Sequence, residues 1–381
     1  TAVGSGALDA NTTGTNNTAL GKDALGSAST STNNTAVGAL ALSANSGGSD
    51  CTAIGYNALR DSLGVNNTAV GSNALVLNNP GIRNTGVGAS SLSSNISGND
   101  CTAVGYNALA GSNSGTADNT AVGYQALLSN TTGYYNVAVG RNALAVNTTG
   151  AQLTAVGRTA LQQNTTGAQN TAVGVCAVCA NTIGSYNTAI GSNALYCNTI
   201  GYYNTAVGSS AMYSNTTSCS NSAFGSQALY YNTTGSGNIA IGPVNDANTY
   251  APVFNPTTEN NRLALGSTSI TNAYVKVAWT VVSDARDKTN FAPVPHGLDF
   301  VNSLEPTAYQ YKESRDSTVA VGPVRYGFKA QDVLQLEGTN NVIVDAEDQE
   351  FWVSRRFHYS VADAAHCPQC RRGLIETFSN H

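Results

Sequence analysis

Glutamate is missing from the first 258 residues of this 381-residue chain and first occurs at Glu259. Charged side chains make up only 10% of the whole, against about 25% in ordinary globular proteins. The net charge of −5 argues against a nucleic-acid binder, which normally shows a basic face, and no nucleic-acid partner is expected. No apolar run approaches the ~18 residues of a membrane-spanning helix, and no charged n-region followed by an apolar h-region marks a signal peptide. The eight cysteines form no disulfide framework. Cys51 and Cys101 share one repeat position three repeats apart, about 14 Å at ~4.8 Å per coil, too far to be bridged. They read as small buried thiols made in a reducing compartment.

What the chain has instead is Gly, Asn, Thr and Ala in one recurring pattern. The tetrapeptide Thr-Ala-Val-Gly and its close variants start at Thr1, Thr18, Thr35, Thr52, Thr68, Thr85, Thr102, Thr120, Val137, Thr154, Thr171, Thr188, Thr205, Ser222 and Ile239. The period is 17 residues, apart from one spacing of 16 and one of 18. A short fixed period is the signature of a solenoid, and about 15 coils give a rod of roughly 70 Å.

Side chains alternate along a strand, so positions 1 and 3 share a face. Position 3 is always apolar, as in Val3, Leu20, Val122, Ile190 and Phe224, and position 1 becomes apolar at Val137 and Ile239. Both are expected to face the core. Position 2 is Ala almost throughout, and this column is expected outside, as a face against which another chain lies. Position 4 is Gly in every repeat, which fits a turn with positive φ. Ala-Leu at positions 7 and 8 reads as a second short strand, and Asn-Thr-Thr-Gly as a turn.

Asn136-Val-Ala-Val-Gly140 and Asn238-Ile-Ala-Ile-Gly242 resemble the head repeats of trimeric bacterial adhesins. That resemblance covers residues 1–242 and implies a left-handed parallel β-roll assembled as a homotrimer. No catalytic constellation is visible in the repeats. Asp9, Asp23, Asp50, Asp61, Asp100 and Asp118 lie near turns with no acidic or His partner in sequence, whereas glycosidases need paired carboxylates. Cys176-x-x-Cys179 reads as two small residues of a coil. Ice binding is disfavoured because position 3 is apolar and no Thr-x-Thr array forms. Exposed Tyr134-Tyr135 and Tyr202-Tyr203 suit either carbohydrate contact or packing between subunits.

After Gly242 the pattern fails. Residues 243–273 read as a linker and connecting strands, and residues 274–381 as a small α+β domain. Here Ser283-Asp-Ala-Arg-Asp-Lys288 is followed by Gly297-Leu-Asp, Leu304-Glu-Pro-Thr-Ala-Tyr309 and Gly327-Phe-Lys-Ala-Gln331. Residues 297–306 read as a short helix stopped by Pro306 and Tyr309 to Lys312 as a strand. The four ordered motifs resemble the intramolecular chaperone domain that follows phage endosialidases and many tail fibres and occurs in the myelin regulatory factor. The resemblance implies a single-turnover serine peptidase in which Ser283 and Lys288 form a dyad and the chain is cut between Val282 and Ser283. A Ser hydroxyl needs a base to become a good nucleophile, and a lysine can serve when burial disfavours its charged form. Asp284 and Arg286 are expected to orient the loop through charge-assisted hydrogen bonds. The alternative for Ser283 is a helix N-cap.

The tail after about residue 350 departs from the family's amphipathic helix, with Pro368 interrupting it. His366, Cys367, Cys370 and His381 have partial zinc-ligand character but lack a second close pair, so no metal or cofactor is expected.

These readings add up to a mainly β protein: a phage tail fibre or spike shaft that trimerises through its C-terminal chaperone and contacts a host-surface glycan or receptor. The alternative is a bacterial trimeric adhesin using the same module. The chain opens inside a repeat, so an attachment segment binding other tail proteins is expected ahead of Thr1. The expected location is the virion tail, after synthesis in the host cytoplasm.

Overall fold

The computed structural model describes residues 1–111, 118–245, 247–270, 298–312, 318–337, 344–345 and 352–353. The chain divides into two compact units, Thr1–Ile270 and Thr271–His381.

The first unit is a parallel β-solenoid. Its described strands form one 16-stranded parallel sheet in strict sequence order, from Ala2–Val3 to Leu263–Leu265. Every rung pairs like with like: Thr154, Ala155 and Val156 lie opposite Thr171, Ala172 and Val173. The irregular spacings leave this register untouched, because Thr52 still pairs with Thr68 and Thr102 with Thr120. Residues 243–262 break the sequence period, yet Ile239, Ala240 and Ile241 pair with Leu263, Ala264 and Leu265. That last strand continues the stack as one more rung.

The faces of the strand are the reverse of the sequence expectation. Ala at position 2 points inward and is fully buried in rung after rung (Ala36, Ala103, Ala155, Ala206). Positions 1 and 3 point outward: Ile190 is 43% exposed, Phe224 42% and Ile241 46%. The reason is space, since the coil interior is narrow enough to admit only a methyl group opposite the turn that supplies the leucines.

No second strand forms at Ala-Leu. These residues lie in a turn, where positions 6 and 8 take left-handed backbone: Asn142 has φ 57° and Leu144 φ 53°. A bulky residue there costs about 1–2 kcal/mol, but fully burying a leucine contributes roughly 1.5–3 kcal/mol. Burial wins, and Leu25, Leu42, Leu59, Leu127 and Leu195 are among the largest fully buried side chains. Glycine at position 4 has φ between 130° and 138° from Gly4 to Gly208. It also has no room: a Cβ on Gly123 would lie 2.7 Å from the Gly140 backbone.

The rest of the interior is asparagine. One column sits at position 11, where Asn147, Asn164, Asn181, Asn198, Asn215 and Asn232 each donate Nδ2–H to the Oδ1 of the asparagine one rung earlier, at 2.7–3.2 Å. The second column sits just before the strand. There Asn187 donates to the Gly201 carbonyl at 2.8 Å, and its Oδ1 accepts from the Asn204 backbone N–H at 3.1 Å. These amides are buried and paired, the condition under which burying a polar group is tolerable. Outside, Thr148, Thr165 and Thr182 donate their hydroxyls to the threonine carbonyl one rung on, at 3.0–3.1 Å.

In the second unit, helix Leu298–Ser303 ends ahead of Pro306 as expected, and strand Thr307–Lys312 pairs antiparallel with Ala320–Gly327. Helix Ala330–Glu337 follows, and a short pair joins Val344–Asp345 to Trp352–Val353.

Candidate functional site

Ser283, Lys288, Val282, Asp284 and Arg286 lie outside the described residues, as do His366, Cys367, Cys370 and His381. The motifs that frame Ser283 are described in part, and they fall at the joints between elements. Asp299 is in the first turn of the helix Leu298–Ser303, and the Ser303 hydroxyl donates back to the Asp299 carbonyl at 2.7 Å. Leu304 and Pro306 carry the chain out of that helix into the strand holding Tyr309. Gly327 ends the partner strand, opposite Thr307. The Tyr309 ring lies against Gly327, so that a Cβ there would be 3.3 Å from the ring. Two motifs separated by 17 intervening residues thus meet on one hairpin. Ala330 and Gln331 open the next helix, which is anchored by the buried Val333, and Lys329 bridges Asp332 at 3.5 Å on its surface.

Residues 283–342 match the family described as chaperone of endosialidase. The match begins at Ser283 and takes in all four motifs. This segment is thus similar to the intramolecular chaperones of the endosialidase type, a family with which self-cleaving peptidase activity goes. No curated protein and no solved structure matches the chain.

The solenoid offers different chemistry. Two of its carboxylates are tied to arginines: Asp61 to the adjacent Arg60 and Asp100 to Arg83 one rung away, each at 2.6 Å. The Arg83 guanidinium holds the Asp100 carboxyl below its usual range. Among the described residues there is no cluster of three His, Cys, Asp or Glu side chains that could hold a metal ion. No described helix is long and apolar enough to cross a membrane.

Cys51 and Cys101 are buried and form no disulfide, as the sequence suggested. Both replace asparagine in the column ahead of the strand. The Cys51 N–H donates to Asn34 Oδ1 at 2.9 Å, and its thiol contacts the Gly64 carbonyl at 3.4 Å where asparagine would place its amide. Cys176 and Cys179 are also free and half-buried, with Cys176 Sγ 3.1 Å from Thr159 Oγ1.

Sequence reasoning missed the organisation of the tyrosines. Tyr196, Tyr213 and Tyr230 stack in consecutive rungs, with ring centroids 5.1 Å apart and planes within 7°. On another edge Tyr186 stacks on Tyr203 at 4.7 Å, and Tyr202 meets Tyr203 edge-on at 5.5 Å and 76°. The period of 17 held the signal, because tyrosines one period apart must fall on adjacent rungs.

Proposed function

We propose that this chain is the shaft of a trimeric phage tail fibre or spike, matured when its C-terminal chaperone cuts itself off between Val282 and Ser283. The observation that carries this reading is the order of the parts: an in-register solenoid up to Leu265, then a chaperone match that begins at Ser283. A long parallel stack with identical rungs can pair in many slipped registers. A domain that brings three chains together first would fix the register, and its removal would leave the rod kinetically trapped.

The outward column of Val, Ile, Leu and Phe at position 3 supports the assembly. It runs the length of the sheet and widens over its last two strands, where Ile239 and Leu263 make position 1 apolar as well. Contact between chains along this face replaces the alanine column expected from the sequence, which lies inside the coil.

In the proposed chemistry Ser283 Oγ attacks the Val282 carbonyl carbon while Lys288 takes the hydroxyl proton. The Val282–Ser283 C–N bond breaks, the released amine is protonated, and an ester joins Val282 to Ser283 Oγ. Water then hydrolyses the ester, leaving the Val282 carboxylate and the free Ser283 hydroxyl.

Intact-mass measurement of freshly expressed protein tests this. Wild type should give the separate masses of residues 1–282 and 283–381, and Ser283→Ala a single uncut chain. A trimmed Ser283→Ala protein would refute the mechanism.

A further inference from the structure

Each coil turns a corner two residues ahead of its strand, and the corner residue takes left-handed backbone throughout, with φ between 39° and 69°. Asparagine and aspartate tolerate that conformation, whereas a large side chain there is an outlier. The early rungs use the corner to bond along the rod, and all of them except the one at Arg83 follow the rule. Asn16 donates to Asn33 at 3.0 Å, Asn33 to Asp50 at 2.9 Å, and Arg83 pairs with Asp100.

Over five consecutive rungs the rule is broken. The corner becomes Tyr135, Gln152, Gln169, Tyr186 and Tyr203, all in left-handed backbone and all exposed. The tyrosines lie 53%, 49% and 56% open to solvent, so burial does not offset their backbone cost. Their ring contacts are with one another, Tyr186 with Tyr203 and Tyr135 with Tyr134, and strained backbone held on an exposed strip points to function.

Two further features fall on the same strip. Tyr134 meets Tyr135 edge-on at 5.2 Å and 79°, the geometry that Tyr202 and Tyr203 repeat at 5.5 Å and 76°. Four rungs separate these pairs, roughly 19 Å at ~4.8 Å per rung. Beside the second pair, the threonine found at Thr132, Thr149 and Thr166 gives way to Ile183 and Ile200, both exposed. With Ser185, Tyr186, Tyr202 and Tyr203 these isoleucines line a shallow groove of about 310 Å³.

Charge selects the ligand. No Asp, Glu, Lys or Arg occurs between Arg158 and Asp246, so the groove offers nothing to neutralise an acidic polymer. Tyrosine faces and isoleucine suit the C–H faces of sugar rings, and phenol and glutamine amide groups suit their hydroxyls. We propose that the strip from Tyr135 to Tyr203 binds a neutral polysaccharide extended along the solenoid axis, through several successive sugar rings. This deepens the host-contact part of the proposed function and rests on it.

The test is affinity electrophoresis of the full chain in gels containing dextran, mannan, galactan or a β-glucan, with polysialic acid as the acidic comparison. The variant is Tyr186→Asn with Tyr203→Asn, which restores the residue the corner favours. Wild type should be retarded by at least one neutral polymer, and the variant's dissociation constant should rise at least tenfold. Its thermal midpoint should not fall, and its oligomeric state and self-cleavage should match wild type. Retardation by no neutral polymer, by polysialic acid alone, or equally in wild type and variant overturns the proposal. So does loss of the oligomer in the variant, which would make the strip a contact between chains. Self-cleavage is scored on the same samples, so a failure of the maturation mechanism is told apart from a failure of glycan binding.

Discussion

Asn215 donates its side-chain amide to Asn198 Oδ1 at 2.9 Å, and both side chains are fully buried. Asn198 in turn donates to Asn181 Oδ1 at 2.9 Å and to the Gly201 carbonyl at 3.1 Å. Truncating it leaves buried partners unpaired, at about 1–3 kcal/mol for each such group. Asn198→Ala should therefore lower unfolding stability by about 2–3 kcal/mol. Denaturant titration with an unchanged m-value would show it, and a loss below about 0.5 kcal/mol would mean that the ladder carries little.

The outward apolar face predicts the effect of charge on assembly. Val173 and Ile190 lie directly opposite each other on adjacent rungs, with their side chains outward. Val173→Glu with Ile190→Glu leaves the interior unaltered, so the circular dichroism of the solenoid should persist. Sedimentation should show monomers in place of trimers. An intact trimer would move the contact to another face.

Lys288→Arg separates charge from basicity. Arginine keeps the positive charge and hydrogen-bonding reach but does not deprotonate in proteins. The variant should remain uncut by intact mass over several days, like Ser283→Ala. Cutting at the wild-type rate would leave lysine a merely structural part.

Tyr250 provides a pH signature. Burial pushes its hydroxyl up to about 12, and it donates to Asn255 Oδ1 at 2.6 Å. A raised folded value means that its contribution to stability is complete below the ordinary value of about 10 and is lost as pH rises through about 12. In an ultraviolet absorbance titration Tyr250→Phe should remove one phenolate from the late end of the curve. Loss from the early end would contradict the burial.

The sequence made the period and the rung register legible, along with the glycine corner and the helix and strand flanking Pro306; the partner strand Ala320–Gly327 was not legible. It did not reveal which strand face is inward. Alternation shows that Thr154 and Val156 share a face but not where that face points. Side-chain size carried the answer: position 2 stays at Ala or Gly86 in every rung, as a narrow interior demands, while position 3 ranges from Val to Phe, as open space permits. Nothing local marks the leucines as turn residues, because left-handed backbone at Leu144 or Leu195 runs against local propensity and is held there by burial. Asparagine suits turns as well as buried ladders, and only its recurrence at two fixed positions, beside a corner residue free to vary, points to the two inward ladders.

Because each rung mates only with its two neighbours, length is a free parameter of this molecule. Deleting or duplicating a whole 17-residue unit would leave the Asn, Thr and Gly contacts re-formed at the seam, and reach would change in steps of ~4.8 Å. The strand pairing already absorbs a coil one residue short at Thr52 and one a residue long at Thr102. Unequal recombination between near-identical repeats could therefore lengthen or shorten the fibre without asking the fold to be solved again.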